Sequence, residues 1–248
     1  MSRSVATSLG MARSLAIYYG LPWRRTRLKL FYAQLIRPGD LVFDIGAHVG
    51  SRSRTLLSLG ARVVAIEPQP AFADFIEKHF SRELEGFERV AVGCQTGEIE
   101  LHISSRHPTV TSISTDFLTR AKTAQGFEAV TWDQTIKVPM VTLDDLIRKY
   151  GCPAFCKIDV EGAEADIIRG ASQAIPLIAF EYLPPMPDLS LQALDAIECL
   201  GDYRYNRVVG EQHHFVHAQW LTAPKLREVL AALPASEPSG DIYARLSS

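Results

Sequence analysis

Short apolar runs alternate with helix-like stretches from residue 40 onward, and this alternation limits the possible folds more than any other feature of the chain. Five of these apolar runs are typical of strands in a parallel sheet, and they cover residues 41–46, 61–68, 87–93, 155–160 and 176–182. Helical patterns lie between them at 51–62, 71–80 and 161–169. Repeated strand–helix–strand units predict a parallel sheet with helices on both faces. Two later runs, at 205–210 and 213–218, predict the last two strands.

Ligands of such sheets bind beyond the carboxyl ends of the strands, at the point where the strand order reverses. The loops that carry function are therefore expected after Asp44, Glu67, Val92, Asp159 and Glu181. A further run at 97–104 alternates apolar and polar residues, which is typical of an edge or hairpin strand.

Charge is distributed unevenly along the 248 residues. The first carboxylate is Asp40, and the seven basic residues before it are Arg3, Arg13, Arg24, Arg25, Arg27, Lys29 and Arg37. The rest of the chain has 19 basic and 28 acidic residues, a net charge of −9. Apolar residues at helical spacing (Leu28, Phe31, Tyr32 and Leu35) predict that this stretch packs on the body. We therefore expect a basic helical N-terminal extension, residues 1–39, and one domain over 40–248.

The basic extension is interpreted mainly as a charge complement to the acidic body. A second interpretation is an attraction for an acidic acceptor or an anionic membrane surface. Nucleic acid is not expected as a partner, because the domain is acidic and lacks interleaved basic and aromatic residues. The sequence leaves the oligomeric state open.

No uncharged apolar stretch approaches the ~20 residues that a membrane span needs. The N-terminus also lacks the apolar core of a signal peptide. The four cysteines have no paired spacing, and Cys156 and Cys199 are expected to be buried thiols. These features favour a reducing compartment and a cytoplasmic location.

The turn after the first run carries the strongest local motif, Asp44-Ile-Gly46-Ala-His48-Val-Gly50. A dinucleotide-binding turn has its second glycine at the position of His48, where the backbone meets a pyrophosphate. Asp44 would repel a diphosphate but could pair with a cationic ligand group. Glu67 ends the second run, 23 residues later, where an acid can accept hydrogen bonds from both ribose hydroxyls. S-adenosylmethionine combines a ribose with a positive amino-acid end and has no phosphates.

Further segments make the chain resemble the FkbM family of class I S-adenosylmethionine-dependent methyltransferases. They occur in the family order at residues 37–50, 60–70, 89–104, 138–151 and 155–171. The resemblance implies an α/β fold with a Rossmann-like, doubly wound, mostly parallel seven-stranded sheet. It also implies methylation of a hydroxyl oxygen on a small molecule or glycan. Two rival hypotheses are an NAD-dependent oxidoreductase, which His48 disfavours, and a non-catalytic binding or scaffold protein that keeps the fold.

The resemblance also implies which residues hold the cofactor. The methionine part would contact Asp44, Gly46, Ala47, His48, Val49 and Gly50. The ribose would contact Glu67, beside Pro68, and the adenine would lie against Ala91 and Val92. Family members often carry Ser-Asp after the third strand, where this chain has Gly93-Cys94. Adenine recognition is therefore expected to use backbone groups.

An acidic cluster follows the fourth parallel run, where Lys157, Asp159 and Glu161 alternate and Glu181 ends the next run. Crowded carboxylates raise at least one pKa, as a general base requires. Asp159 is the first candidate base; Glu161 and Glu181 could share that role or orient the acceptor, and Lys157 could balance their charge. Two alternatives remain open: acids that only stabilise a helix N-terminus, and a divalent metal such as Mg²⁺ that the spacing does not demand.

Two weaker signals complete the sequence interpretation. Residues 107–133 form a long connection, for which we expect either an acceptor-binding lid, to which His107 contributes, or a plain surface excursion. The histidines at 213, 214 and 217 lack the cysteine or carboxylate that would complete a zinc site, so a solvated strand is expected there.

Overall fold

The computed structural model describes residues 10–12, 15, 22–124 and 126–247, and the side chains of its first helix from residue 26. Its strands are β1 (Leu41–Ile45), β2 (Arg62–Ile66), β3 (Gly86–Glu88), β4 (Ala91–Val92), β5 (Gly97–Ile103), β6 (Gln134–Val141), β7 (Phe155–Ile158), β8 (Leu177–Tyr182), β9 (Tyr203–Val209) and β10 (Gly240–Leu246). Its α-helices are α1 (Pro22–Tyr32), α2 (Ser51–Leu57), α3 (Pro70–His79), α4 (Thr115–Ala121), α5 (Leu143–Tyr150), α6 (Glu164–Arg169), α7 (Pro187–Leu200) and α8 (Ala223–Ala231). Two short 3₁₀ helices occupy Ser81–Glu83 and Pro108–Val110.

Seven strands form the main sheet in the order β3-β2-β1-β7-β8-β10-β9. Neighbours from β3 to β8 pair in parallel, and β10 pairs antiparallel with both β8 and β9. The order reverses between β1 and β7, where Asp44 lies opposite Lys157 in register. The predicted α/β class with a mostly parallel seven-stranded sheet is thereby confirmed, and a ligand cleft is expected at the ends of β1 and β7.

Helices cover both faces of this sheet because its central strands are apolar on both sides. On one face, Val42, Phe155 and Tyr243 pack against Phe31 and Tyr32 of α1. On the other face, the largest cluster joins the strands to side chains of α5, α6 and α7. These two layers fix the strand ends, and the site is built on those ends.

The predicted third strand at 87–93 is wrong as one strand, because it divides between two sheets. The segment Gly86–Glu88 pairs with β2, whereas Ala91–Val92 pairs with β6 in a three-stranded sheet ordered β4-β6-β5. Arg89 lies between the halves and forms ion pairs with Asp74 and Glu77 of α3 at 2.6 and 2.9 Å. This polar residue turns outward, so the two apolar halves enter different sheets.

The strand predicted at 213–218 is also wrong, since these residues are irregular. Phe215 packs with its ring centroid 5.1 Å from that of Phe31, so it belongs to a core cluster rather than to a ladder. The last strand is instead β10, which sequence interpretation missed. Cys199, expected to be buried, is exposed, whereas Cys156 is buried as expected.

The long connection between β5 and β6, residues 104–133, crosses the carboxyl end of the main sheet, and we call it the bridging segment. It contains the helix α4 and a 3₁₀ turn. Its stretch from Pro108 to Ile113 borders the main cavity. Trp132 donates its Nε1–H to Val110 O at 2.8 Å and thereby holds that stretch.

The helix α1 packs on the body, and its Tyr32 ring lies 5.8 Å from that of Phe155. Arg27 and Lys29 are exposed. Arg3 and Arg13, and the side chains of Arg24 and Arg25, lie outside the described residues. In the part of the chain that the structure describes, no helix has the length and apolar character needed to cross a membrane.

Candidate active site

The turn after β1 brings the backbone close to the β7 loop. Gly46 adopts φ +78°, and a Cβ added there would lie 2.0 Å from Asp159 O, so only glycine fits. His48 has φ 53°, a left-handed conformation that is unusual for a residue with a side chain. This conformation lets its backbone N–H donate to Glu67 Oε2 at 2.7 Å. Ala47 and Val49 are buried, and Gly50 precedes α2.

Asp44 is almost completely buried beneath this turn. Its Oδ2 accepts a hydrogen bond from Ser53 Oγ at 2.5 Å. Its Oδ1 is buried and has no hydrogen-bond partner among the described residues. Burial raises the pKa of Asp44, and the hydrogen bond from Ser53 opposes that rise. An unmatched acceptor in this place suits a cationic donor such as an ammonium group.

Glu67 is buried at the end of β2 with both carboxylate oxygens engaged. Oε2 accepts the N–H of His48, and Oε1 accepts the N–H of Gln69 at 2.8 Å. Burial raises the pKa of Glu67 to about 7, although these two backbone hydrogen bonds lower it. A carboxylate has about four acceptor sites, so one remains free on each oxygen for the two hydroxyls of a ribose.

One cavity of about 330 Å³ connects these groups with the acidic cluster. Gly46, His48, Glu67 and Pro68 border it on the side of β1 and β2, and Ala91 and Val92 border it beyond them. Asp159, Glu161, Glu181 and Glu211 border it on the side of β7 and β8. A smaller cavity, lined by Asp44, Ala47 and Val49, shares Gly46, His48, Arg52 and Asp159 with the first. The size is at the lower end for pockets that bind small molecules or cofactors.

Asp159 is held by two cations. Its Oδ2 lies 2.9 Å from Arg52 Nη1, and its Oδ1 lies 3.7 Å from Lys157 Nζ. Burial raises the pKa of Asp159, but the positive charges of Arg52 and Lys157 outweigh burial and hold the pKa below its usual value. Asp159 is therefore ionised and strongly paired, which makes it a poor proton acceptor.

Lys157 is completely buried and serves as a counter-ion for more than one carboxylate. Its Nζ lies 3.1 Å from Asp241 Oδ1 on β10 and donates to Ile158 O at 3.1 Å. Burial lowers the pKa of Lys157, but Asp159 and Asp241 outweigh burial and raise it overall. The ammonium group consequently stays charged inside the sheet layer.

Within the part of the chain that the structure describes, neither Glu161 nor Glu181 forms an ion pair with a basic side chain, as Asp159 does. Burial, followed by the charges of Glu181, Glu164 and Asp159, raises the pKa of Glu161 well above its usual value. Burial, followed by Asp159 and Asp241, raises the pKa of Glu181 to about 8. Glu181 therefore holds or releases a proton near neutral pH, as a general base must, and Glu161 binds a proton more strongly than an ordinary carboxyl group does. Among the described residues, no group of three or more candidate ligands could hold a metal ion.

Three site residues were missed by sequence interpretation: Arg52, Asp241 and Glu211. Arg52 lies in the first turn of α2, directly after the Gly50 turn, and its Nη2 is 3.9 Å from Glu211 Oε1. The sequence does show that Arg52 follows the Gly50 turn by two residues, and this position is the signal that identifies it as a site candidate. Asp241 lies at the start of β10 and Glu211 follows β9, and only the structure reveals the places of these two strands in the sheet.

Comparison with known proteins gives a match to the model of the methyltransferase FkbM domain over residues 44–233. The 2-O-methyltransferase NoeI of Sinorhizobium fredii is 28% identical over 156 residues, covering 60% of this chain and 64% of NoeI. A protein-L-isoaspartate O-methyltransferase of Methanospirillum hungatei is 38% identical over 66 residues, covering 26% of this chain and 30% of that protein. The chain thus spans less than two thirds of the length of these curated relatives.

Among solved structures, an O-methyltransferase from Bacillus cereus in complex with SAH aligns with a TM-score of 0.46 and 11% identity. The alignment covers 99% of this chain and 90% of that one. The family model begins at Asp44 and includes Glu67, Asp159, Glu161 and Glu181. Because that model covers most of the chain, the resemblance seen in the sequence is confirmed, and the protein belongs to the FkbM methyltransferase family.

Proposed function

We propose that this protein is an S-adenosylmethionine-dependent O-methyltransferase. The observation that carries the proposal is that one cavity is bordered both by Glu67, a ribose-type acid, and by the Glu161 and Glu181 pair. The first group suits a nucleoside, and the pair suits removal of a hydroxyl proton. The name of the relative NoeI, a 2-O-methyltransferase, supports oxygen as the accepting atom.

The residues present fit this cofactor. The free acceptor sites of Glu67 would take the ribose hydroxyls, and the unmatched Asp44 Oδ1 would take the ammonium group. Backbone at Gly46 and His48 would lie along the methionine part, with Ala91 and Val92 beside the adenine. When bound, S-adenosylmethionine supplies a methyl group activated by a positively charged sulfur.

The acidic end of the cavity would then handle the acceptor. Glu161 and Glu181 share excess negative charge, so together they bind the proton that the acceptor hydroxyl gives up. Arg52 and Lys157 compensate Asp159, which leaves that carboxylate to orient neighbouring groups rather than to accept protons. Glu211, half exposed on the loop after β9, borders the entrance and would contact the acceptor.

The acceptor is proposed to be a small molecule or glycan with a free hydroxyl. Carboxyl groups that border the cavity can both accept and, when protonated, donate hydrogen bonds to hydroxyl groups. The stretch from Pro108 to Ile113 forms the opposite wall, as an acceptor-binding element would. We further propose that residues 1–39 form a basic extension to a domain at 40–248, and that the protein works in the cytoplasm.

Calorimetric titration separates this proposal from its rivals. The protein is titrated with S-adenosylmethionine, S-adenosylhomocysteine and NAD in parallel. We expect the first two to bind and NAD to give no heat. Binding of NAD alone would favour an oxidoreductase, and no binding of any of the three would favour a scaffold protein.

Methyl transfer is tested with S-adenosylmethionine labelled in its methyl group. Sugars and glycosides are offered in matched pairs, one with a free hydroxyl and one with that hydroxyl removed. We expect label in the first member of an accepted pair only. Glu181→Gln should abolish transfer and keep S-adenosylhomocysteine binding, whereas the exposed Glu198→Gln should change neither.

A further inference from the structure

The bridging segment contacts the loop that holds Glu67. Thr111 Oγ1 lies 2.8 Å from Gln69 Oε1 and 2.9 Å from Pro108 O, so its one hydroxyl proton is shared between these two acceptors. Gln69 is buried, and its backbone N–H is one of the two donors to the Glu67 carboxylate. Gln69 therefore links Thr111 to Glu67: its side chain contacts Thr111, and its backbone N–H binds the carboxylate that would hold the ribose.

The same segment contacts the loop that holds Glu161. Ser112 is buried, and its Oγ donates to Glu161 O at 2.5 Å. The completely buried Phe117 packs on the next residue, because a Cβ added to Gly162 would lie 2.5 Å from Phe117 Cβ. A polar and an apolar contact thus place the backbone that carries one of the two proposed proton acceptors.

Ser112 is itself well anchored. Its backbone forms a two-way bridge with His102 on β5, with N–O distances of 2.9 and 3.0 Å. Its Oγ also accepts the N–H of Ser114 at 2.9 Å. Since Thr111 and Ser112 are adjacent, a covalent and hydrogen-bonded path runs from Gln69 to Glu161 along the wall of the cavity.

We propose that Thr111 and Ser112 are positioning residues that couple occupancy of the cofactor end to the placement of Glu161. A ligand on Glu67 restrains the Gln69 loop, and the hydrogen bond to Thr111 passes that restraint to Ser112 and the Glu161 backbone. Coupling of this kind needs only that one loop becomes more ordered when the other does. The inference rests on the proposed function, because it assumes a nucleoside ligand on Glu67.

Hydrogen exchange measured by mass spectrometry tests the coupling on the full chain, with S-adenosylhomocysteine as the probe. The amides of Gln69, Ser112 and Gly162 report on the cofactor loop, the bridging segment and the Glu161 loop. In the wild type we expect the ligand to slow exchange at all three places. At Ser112 and Gly162 we expect the exchange rate to fall by about 2- to 10-fold, which corresponds to the free energy of one hydrogen bond.

Two variants cut the path at different points. Thr111→Val should leave the ligand effect at Gln69 and remove it at Ser112 and Gly162. Ser112→Ala should keep the ligand effect at Gln69 and at the amide of residue 112, and should reduce it at Gly162 only. Thr119→Val is the matched control, because it loses one threonine hydrogen bond on the exposed side of α4. It should behave as the wild type does.

Thermal unfolding of each variant shows that it is folded before exchange is compared. An unchanged ligand effect at Gly162 in Thr111→Val would overturn the coupling, as would a wild-type effect confined to Gln69. Absence of both binding heat and protection at Gln69 would instead refute the proposed function, and the coupling would fall with it.

Discussion

Replacement of Glu67 by glutamine is the most direct test of the cofactor end. Each carboxylate oxygen accepts one backbone N–H, from His48 at 2.7 Å and from Gln69 at 2.8 Å. Glutamine keeps one acceptor oxygen and places an NH₂ group where the other oxygen was. That NH₂ group faces a backbone donor and offers no acceptor to one ribose hydroxyl. The substitution preserves shape and removes charge.

The expected loss follows from these contacts. A hydrogen bond to a charged group contributes about 1.5–3 kcal/mol. Loss of one such bond weakens affinity about 10- to 150-fold. Since burial raises the pKa of Glu67 to about 7, the wild-type site is increasingly protonated below that pH. Wild-type affinity should therefore fall as the pH decreases through 7, approaching tenfold per unit, and affinity of the variant should not.

Calorimetry with S-adenosylhomocysteine from pH 5.5 to 8.5 measures both effects. The exposed Glu83→Gln provides the control for the substitution itself and should follow the wild type. A loss below threefold at pH 8, or a pH slope that persists in Glu67→Gln, would refute the assignment of Glu67 as the ribose acid. Thermal unfolding of both variants establishes that they are folded.

Four further predictions concern the acidic end and its wall. Asp159→Asn removes the negative charge that pairs with Arg52 and Lys157, so the free energy of unfolding at pH 7 should fall by about 2–3 kcal/mol. Urea titration measures this loss, and an unchanged unfolding midpoint would contradict the ion pairs. Glu181→Gln should raise the free energy of unfolding by about 1–3 kcal/mol at pH 9 and should leave it nearly unchanged at pH 3.5. The folded-state pKa of Glu181, about 8, lies above its usual value, so wild-type stability falls as the pH rises from that usual value to about 8. Trp132→Ala removes the hydrogen bond to Val110 and should lower acceptor affinity in the labelling assay. The free energy of unfolding should fall by about 2–4 kcal/mol. Unchanged acceptor affinity would argue against a role of the stretch from Pro108 to Ile113 in acceptor binding. Label transfer should persist in excess EDTA because carboxyl groups accept the proton, and its loss with recovery on adding Mg²⁺ would establish a metal.

The fold was predictable where strands are buried on both faces. The runs that became β1, β2, β7 and β8 are nearly continuous apolar stretches, and such stretches are typical of central parallel strands. The first three of them are each followed by an acid or a glycine and then by a helix pattern. The local sequence thus indicates both where each of these strands lies and where it ends.

The strands β3, β4 and β10 and the stretch around Phe215 could not be predicted in the same way. Nothing within 87–93 shows that β3 and β4 join different sheets, because the partner strand of β4 is about fifty residues away. The strand β10 follows a loop rich in proline, serine and glycine, and it pairs between β8 and β9 rather than at an edge. The apolar Phe215 indicated a strand, but it fills a gap in the core beside Phe31. These three errors come from tertiary partners that no local sequence pattern identifies.

The cofactor end was accessible to sequence interpretation because its residues lie within two short motifs. Asp44 and Gly46 precede the first helix, and Glu67 ends the next strand. The acidic end was accessible only as a set of candidates. Which carboxylate accepts a proton depends on Arg52 and Asp241, from two distant parts of the chain, and sequence interpretation had placed Asp159 first.

Environment, rather than residue type, assigns different roles to the acids at the strand ends. Glu67 is neutral or charged near pH 7 because two amides oppose its burial, and Asp159 stays charged because two cations flank it. Glu161 and Glu181 tend to hold protons because burial, and after it the charge of nearby carboxylates, disfavours their ionised forms. A single residue sets much of this pattern. Without the charge of Arg52, the strongest opponent of burial at Asp159 would be gone, and the pKa of Asp159 would rise. The net charge of the acidic body therefore says less about the chemistry than the position of the cation behind the Gly50 turn.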